Sequence, residues 1–327
     1  MRITRETLTR IASETAKKRA FTDPDLVAAY LTGSLRTENP FLGGTTDVDI
    51  VFVHSEAPSV SREIIALTPE LHLDIVHNPR SIYDKPKELR IHPWLGPELY
   101  DPQPLYVTHH FFEFIQAGVR DKYNDPDSVL ARSSRLAAEA RQAWSDLQLS
   151  DDPWVDIFLS YLRAVNLAAN SIALLNGGTL SERRFLLQFP SRAAAAEKPV
   201  LADALLQLLG SDAVDIETLQ ARLSAWEKDY VEAAGRPGVD ERIASPRLAY
   251  YKLACQSMLE SESPLAILWP LLLTWTLSAR TLPPSRQETW ESTCKDLGLI
   301  GPAFDQKMSA LDKFLDEIEE LLEKAIS

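Results

Sequence analysis

The pattern of apolar and polar positions changes character about a third of the way along the chain. Residues 4–19 place Leu8, Ile11 and Ala12 on one face, with Thr15 continuing it, which predicts an amphipathic first helix. Asp23-Pro24-Asp25 breaks that pattern. Leu26–Thr32 (LVAAYLT) is an apolar run of strand length, and a polar loop with three glycines, Gly33 to Thr46, follows it. Asp47–His54 and Leu71–His77 predict two more strands, with Ser61–Leu67 between them as a short helix. Pro86–Pro104 is proline-rich and reads as a loop with a strand near Glu98–Tyr100.

From Asp127 onward the spacing is helical nearly throughout. Ser128–Leu147, Val155–Leu175, Leu201–Leu209, Ile216–Ala233, Arg247–Leu259, Ala266–Ala279 and Gln306–Ala325 are the predicted helices. The second closes on Asn176-Gly177-Gly178, a good C-cap. A strand-rich first third before a helix-rich remainder predicts an α+β fold. Its first domain, residues 1–125, is a mixed sheet flanked by helices; its second, residues 126–327, is all-α.

Composition narrows the picture. Pro264–Ala279 carries no charge, but it is shorter than the ~20 residues a bilayer span needs, and Pro270 interrupts it. A buried helix is the expectation. Met1–Glu6 has no apolar signal region, so a cytoplasmic protein is expected. Cys255 and Cys294 are far apart without CxxC spacing, which predicts buried thiols and not a disulfide or zinc site. Lys and Arg total 34 against 47 Asp and Glu, a net charge of −13. Binding to nucleic-acid phosphates is driven by basic surface, so a nucleic-acid polymer is a poor candidate partner and a small, cationic acceptor a better one.

The chemistry concentrates in LVAAYLTGSLRTENPFLGGTTDVDIVFV, residues 26–53. Side chains alternate between the faces of a strand, so Asp47 and Asp49 point to the same side, with Val51 and Val53 continuing that face into a core. Two carboxylates so placed repel unless a cation sits between them, and a divalent metal with oxygen ligands is one solution. A surface-turn Asp-x-Asp is the alternative. Gly33-Ser34 ends the preceding strand. Glycine permits close backbone approach, and successive amides there can form an anion-binding nest. Asp74, in Leu71-His72-Leu73-Asp74-Ile75-Val76, is a carboxylate in an apolar strand and needs a partner, either the metal or an arginine such as Arg62 or Arg80.

This ordered set resembles the DNA polymerase beta-like nucleotidyltransferase superfamily: Gly-Ser after a strand, a loop, Asp-x-Asp in an apolar strand, then a later strand with one carboxylate. Within it the chain looks most like the aminoglycoside-type small-molecule nucleotidyltransferases. Leu99-Tyr100-Asp101-Pro102 resembles a late strand of that group, and Leu167–Phe185 the helix–turn–basic stretch of its helical domain. The resemblance implies a catalytic domain over residues 1–125 and a helical substrate-binding domain over residues 126–327. Asp47, Asp49 and Asp74 become metal ligands and catalytic residues. Gly33, Ser34 and Arg36 become nucleotide-binding residues. It implies two Mg2+ ions, ATP or another nucleoside triphosphate as co-substrate, transfer of AMP or another nucleoside monophosphate to a small-molecule hydroxyl, and release of pyrophosphate. Transfer to a protein hydroxyl or an RNA end, as in the superfamily's toxin–antitoxin members, is one alternative. A non-catalytic nucleotide-binding protein is another.

Overall fold

A computed structural model describes residues 3–326. The chain divides between Ser128 and Val129 into two compact units.

In the first unit the hydroxyl of Thr4 accepts from the Thr7 amide at 3.3 Å and caps α1 (Arg5–Thr22). Leu8, Ala12 and Ala16, four residues apart, form its buried stripe. The two alanines let the helix lie close to the sheet beneath. That sheet has β1 (Leu26–Leu31), β2 (Thr46–His54), β3 (Arg62–Thr68), β4 (Leu71–Pro79) and β5 (Gln103–Val107), in the order β3-β4-β2-β1-β5. β2 and β4 pair in parallel, and every other neighbouring pair is antiparallel. The mixed sheet with flanking helices and the helical remainder give the α+β architecture that the sequence pattern predicts.

Two expectations fail here. Ser61–Leu67 is not a short helix, since Arg62–Thr68 is the edge strand β3. So short an apolar run is ambiguous on its own, and pairing with β4 decides it. No strand forms near Glu98–Tyr100, where the chain makes α3 (Leu95–Tyr100), and the strand starts later, at Gln103. Pro97 lies in the first turn of α3, where its missing N–H disturbs no helical bond. α2 (Pro86–Arg90) and α4 (Phe111–Arg120) complete this side.

The sheet is covered on both faces. Val48, Ile50, Phe52, Leu71, Leu73 and Ile75 pack on α1. Tyr30, Val51 and Val53 pack on the opposite face against Leu89, Leu99, Phe112 and Ile115. Asp47 and Asp49 share the face of Val51 and Val53, so that face passes from acidic to apolar along one strand.

The second unit contains α5 (Pro126–Leu147, whose first turn lies in the first unit), α6 (Trp154–Ala173), α7 (Phe185–Ala195), α8 (Val200–Leu208) and α9 (Ile216–Ala234). α10 (Leu248–Leu259), α11 (Leu268–Thr281), α12 (Glu288–Asp296) and α13 (Phe304–Ile326) follow. Every residue of α11 from Leu268 to Ala279 is buried, which accounts for its lack of charge. No helix among the described residues is long and apolar enough to cross a membrane. Tryptophans on and beside α11 have satisfied indole N–H groups: Trp226 donates to Thr274 at 2.9 Å, Trp275 to Asp229 at 2.8 Å and Trp290 to Thr276 at 3.1 Å. Cys255 and Cys294 are buried free thiols, and burial pushes Cys255 up to about 12. Arg183, in the stretch that resembles a substrate-domain motif, is buried with its guanidinium 3.6 Å from the Tyr250 ring centroid, and it donates to the Tyr250 carbonyl at 2.9 Å.

A hydrogen-bonded chain pins the C-terminal ends of β2 and β4 to α1. His54 Nε2 lies 2.8 Å from His77 Nδ1, and His77 Nε2 lies 2.8 Å from Glu63 Oε1. Arg19 donates to Glu63 at 2.7 Å, and Asp23 stands 3.4 Å from His54 Nδ1. Burial lowers the His54 pKa, His77 lowers it further, and Asp23 and Asp25 oppose both. A histidine harder to protonate when folded withdraws stability as pH falls through its unfolded value of about 6.5. Melting temperature should therefore drop between pH 7 and pH 6, and His54→Gln should reduce that drop. An equal drop in the variant would exclude His54 as its source.

Candidate metal centre

Parallel pairing of β2 with β4 creates the acidic centre. The register sets Asp47 beside His72 and Asp49 beside Asp74, so carboxylates from adjacent strands share one face at one end of the sheet. One oxygen from each of Asp47, Asp49 and Asp74 lies within 4.8 Å of the others. A divalent ion bound at 2.0–2.6 Å spans oxygens up to roughly 4–5 Å apart, so the spacing and the hard-oxygen donor set fit Mg2+, Mn2+ or Ca2+.

Asp74 has a cationic partner within the chain. Asp74 lies opposite Ile64 in the β3–β4 register and diagonal to Arg62. Arg62 Nε donates to Oδ1 at 2.7 Å and its terminal nitrogen to Oδ2 at 2.6 Å, a bidentate fork. Asp74 is 2% exposed and Arg62 30%. The arginine pair and the acidic cluster, alternatives at the level of sequence, coexist.

Gly33 has a specific steric role. Its backbone has φ +70°, and a Cβ there would stand 1.8 Å from Asp49 Oδ2. The Asp49 carboxylate thus rests against the glycine α-carbon. The Thr32 amide donates to the Asp49 carbonyl at 3.0 Å and ties the end of β1 to β2. Ser34–Arg36 then form one 3₁₀ turn, with the Arg36 and Thr37 amides bonded to Gly33 and Ser34 carbonyls. Those two amides are engaged inside the turn. The Ser34 hydroxyl lies 2.7 Å from that of Thr46, the first residue of β2.

Arg36 flanks the same sheet end. It donates to Asp101 Oδ2 at 3.2 Å, while Arg120 donates to Asp101 Oδ1 at 2.9 Å. Close by, Glu98 Oε1 is buried with no hydrogen-bond partner among the described residues. Burial raises the Glu98 pKa, opposed by the Tyr30 hydroxyl and the charge of Arg36. Tyr30 meets the Tyr83 hydroxyl at 3.1 Å, to which Asn78 donates at 2.9 Å. Asp101 and Glu98 join the candidate residues only through strand pairing and helix packing, whereas Arg62 is one of the two arginines the sequence offers for Asp74, and the structure selects it over Arg80. The one local signal was Glu98, a carboxylate among Leu95, Pro97 and Leu99.

No protein-family model and no curated protein matches the sequence. Among solved structures the chain is similar to a nucleotidyltransferase-like protein from Exiguobacterium sibiricum 255-15. Identity is 10%, 95% of this chain and 91% of that one are covered, and the TM-score is 0.32. A likeness of that degree carries no argument about function, which rests on the site itself.

Gly33 gives the site a direct test. Gly44 also has positive φ (+73°), but a Cβ there meets nothing within 4 Å. Gly44→Ala should therefore cost only the left-handed backbone penalty, about 1–2 kcal/mol. Gly33→Ala adds the collision with Asp49 and, at ψ −156°, a backbone region that is essentially glycine's alone, so it should cost more in urea unfolding. Equal losses would show that Asp49 moves aside freely.

Proposed function

We propose that this chain is a metal-dependent nucleotidyltransferase that moves a nucleoside monophosphate from a nucleoside triphosphate, ATP foremost, to a hydroxyl of a small molecule. The supporting observation is the Asp47–Asp49–Asp74 donor set at the sheet end that also carries the Gly33-Ser34 turn. Bound at that set, a divalent cation such as Mg2+ supplies charge neutralisation for the phosphates and for the departing pyrophosphate oxygen.

The chain's own groups have separable tasks. Asp47 and Asp49 hold the cation, and Gly33 leaves room for the Asp49 carboxylate. The Ser34 hydroxyl, held by Thr46, is a donor for phosphate oxygen. Arg36 is the nearby guanidinium for the triphosphate, and Asp101 is the anion it exchanges for it. Asp74 takes the proton of the attacking hydroxyl. As that proton leaves, the acceptor oxygen bonds to the α-phosphorus and the bond to the bridging oxygen breaks, releasing pyrophosphate. A net charge of −13 favours a cationic acceptor over an RNA end.

Calorimetry of Mg–ATP binding tests the assignment. Asp47→Asn with Asp49→Asn should abolish magnesium-dependent ATP affinity, and unchanged affinity would overturn the metal site. Asp74→Asn should keep most of the affinity while kcat for pyrophosphate release, measured over a panel of amino-sugar acceptors, falls by roughly 10²–10⁴. Loss of affinity with kcat preserved would make Asp74 a ligand only.

A further inference from the structure

Arg62 is the feature of the acidic centre that the proposed chemistry does not require. A base can be oriented by a neutral donor. Here Asp74 receives a full positive charge through two short bonds, at 2.7 and 2.6 Å. Without Arg62, the same cluster would attract divalent ions more strongly and would be less tolerable when empty.

The placement also permits exchange. Asp74 is 2% exposed and fixed in β4, whereas Arg62 is 30% exposed on the edge strand β3, which pairs only with β4. Part of the Arg62 side chain already faces water, so on leaving Asp74 it can recover hydration that a fully buried arginine could not. Asp74 has no comparable freedom. The movable partner is therefore the arginine.

We propose that Arg62 is a built-in competitor of the metal: it neutralises Asp74 in the metal-free protein, and a divalent cation gains Asp74 as a ligand at the expense of the Arg62 pair. This rests on the metal reading of Asp47, Asp49 and Asp74. Two like-signed groups drawn to one carboxylate oppose each other, and by linkage each weakens the other's hold equally. Arg62 thus keeps metal affinity low until the negative charge of a bound triphosphate joins the site. It also spares the empty site the mutual repulsion of three carboxylates.

The test is Mn2+ binding without nucleotide, read by calorimetry, with melting temperature alongside. Arg62→Gln should bind Mn2+ more tightly, by roughly tenfold or more, because a positive charge beside the ion has gone. The metal-free variant should melt lower than wild type, and Mn2+ should raise its melting temperature by more. Arg62→Lys keeps the charge without the fork and should bind Mn2+ nearly as wild type does. Should Arg62→Gln fail to fold, wild type gives an independent readout: the Arg62 Nε–H, protected by its 2.7 Å bond, should exchange with solvent faster as Mg2+ is added. Equal Mn2+ affinity in wild type and Arg62→Gln, or an Arg62 Nε–H indifferent to Mg2+, overturns the competition while leaving the metal site standing. Absence of Mn2+ binding in wild type, in Arg62→Gln and in the Asp47→Asn control overturns the metal site and the competition together.

Discussion

The first unit depends on the parallel pairing of β2 with β4. That register sets Asp49 directly beside Asp74, with Asp47 two residues away on the same face. Like charges on adjacent strands oppose the pairing that brings them together. The pairing is held by what lies on either side of it. Val48, Ile50 and Phe52 alternate with the aspartates and, with Leu71, Leu73 and Ile75, bury against α1. Each such side chain contributes on the order of 1.5–3 kcal/mol when removed from water. Apolar burial on one face thus secures an electrostatically unfavourable arrangement on the other, and Arg62 relieves part of it locally.

The elements readable in the sequence were those whose pattern is decided locally. β1, β2 and β4 are apolar runs of strand length, and the long helices of the second unit show their stripes, as with Leu311, Leu315, Ile318 and Leu322 on α13. β3 was misread because Arg62–Thr68 is half-exposed and short, and it becomes a strand by gaining β4 as partner. Pro86–Pro104 reads as mostly loop in the sequence because two of its five prolines sit at helix starts, a position that spacing alone does not reveal: Pro86 opens α2 and Pro97 lies in the first turn of α3. α4, α7 and α12 were also missed, helices of 9–11 residues flanked by turns.

The candidate site divides the same way. Strand alternation alone puts Asp47 and Asp49 on one side, and the structure places Asp74 with them. Gly33 was noticed for close approach to a ligand, yet its nearest constraint is the Asp49 carboxylate, a contact made across the β1–β2 pairing. Arg36 was expected at phosphate. In the structure it meets Asp101, which β5 brings to the end of β1. Asp101 and Glu98 stand more than sixty positions from Arg36 and Tyr30, so only the antiparallel β1–β5 register and the packing of α3 could bring them together.

The two ends of β2 and β4 carry opposite kinds of polar group. At the N-terminal ends three carboxylates gather, with Arg62 paired to one of them and Arg36 flanking. At the C-terminal ends His54 and His77 link Asp23, Glu63 and Arg19 into a chain that joins α1, β2, β3 and β4. In that chain the imidazoles, Glu63 and Arg19 meet hydrogen-bond partners on neighbouring elements, so it fastens the strands. The acidic end sets carboxylates side by side, and a strand end that repels its neighbour invites slippage unless the register is fixed elsewhere. A one-residue slip of β4 would carry Asp74 to the α1 face and His77 away from His54. The histidine chain and the apolar face therefore penalise the same error that would dismantle the acidic centre. This division of labour lets one end of the sheet hold unbalanced negative charge in readiness for a cation while the other end keeps the strands in step.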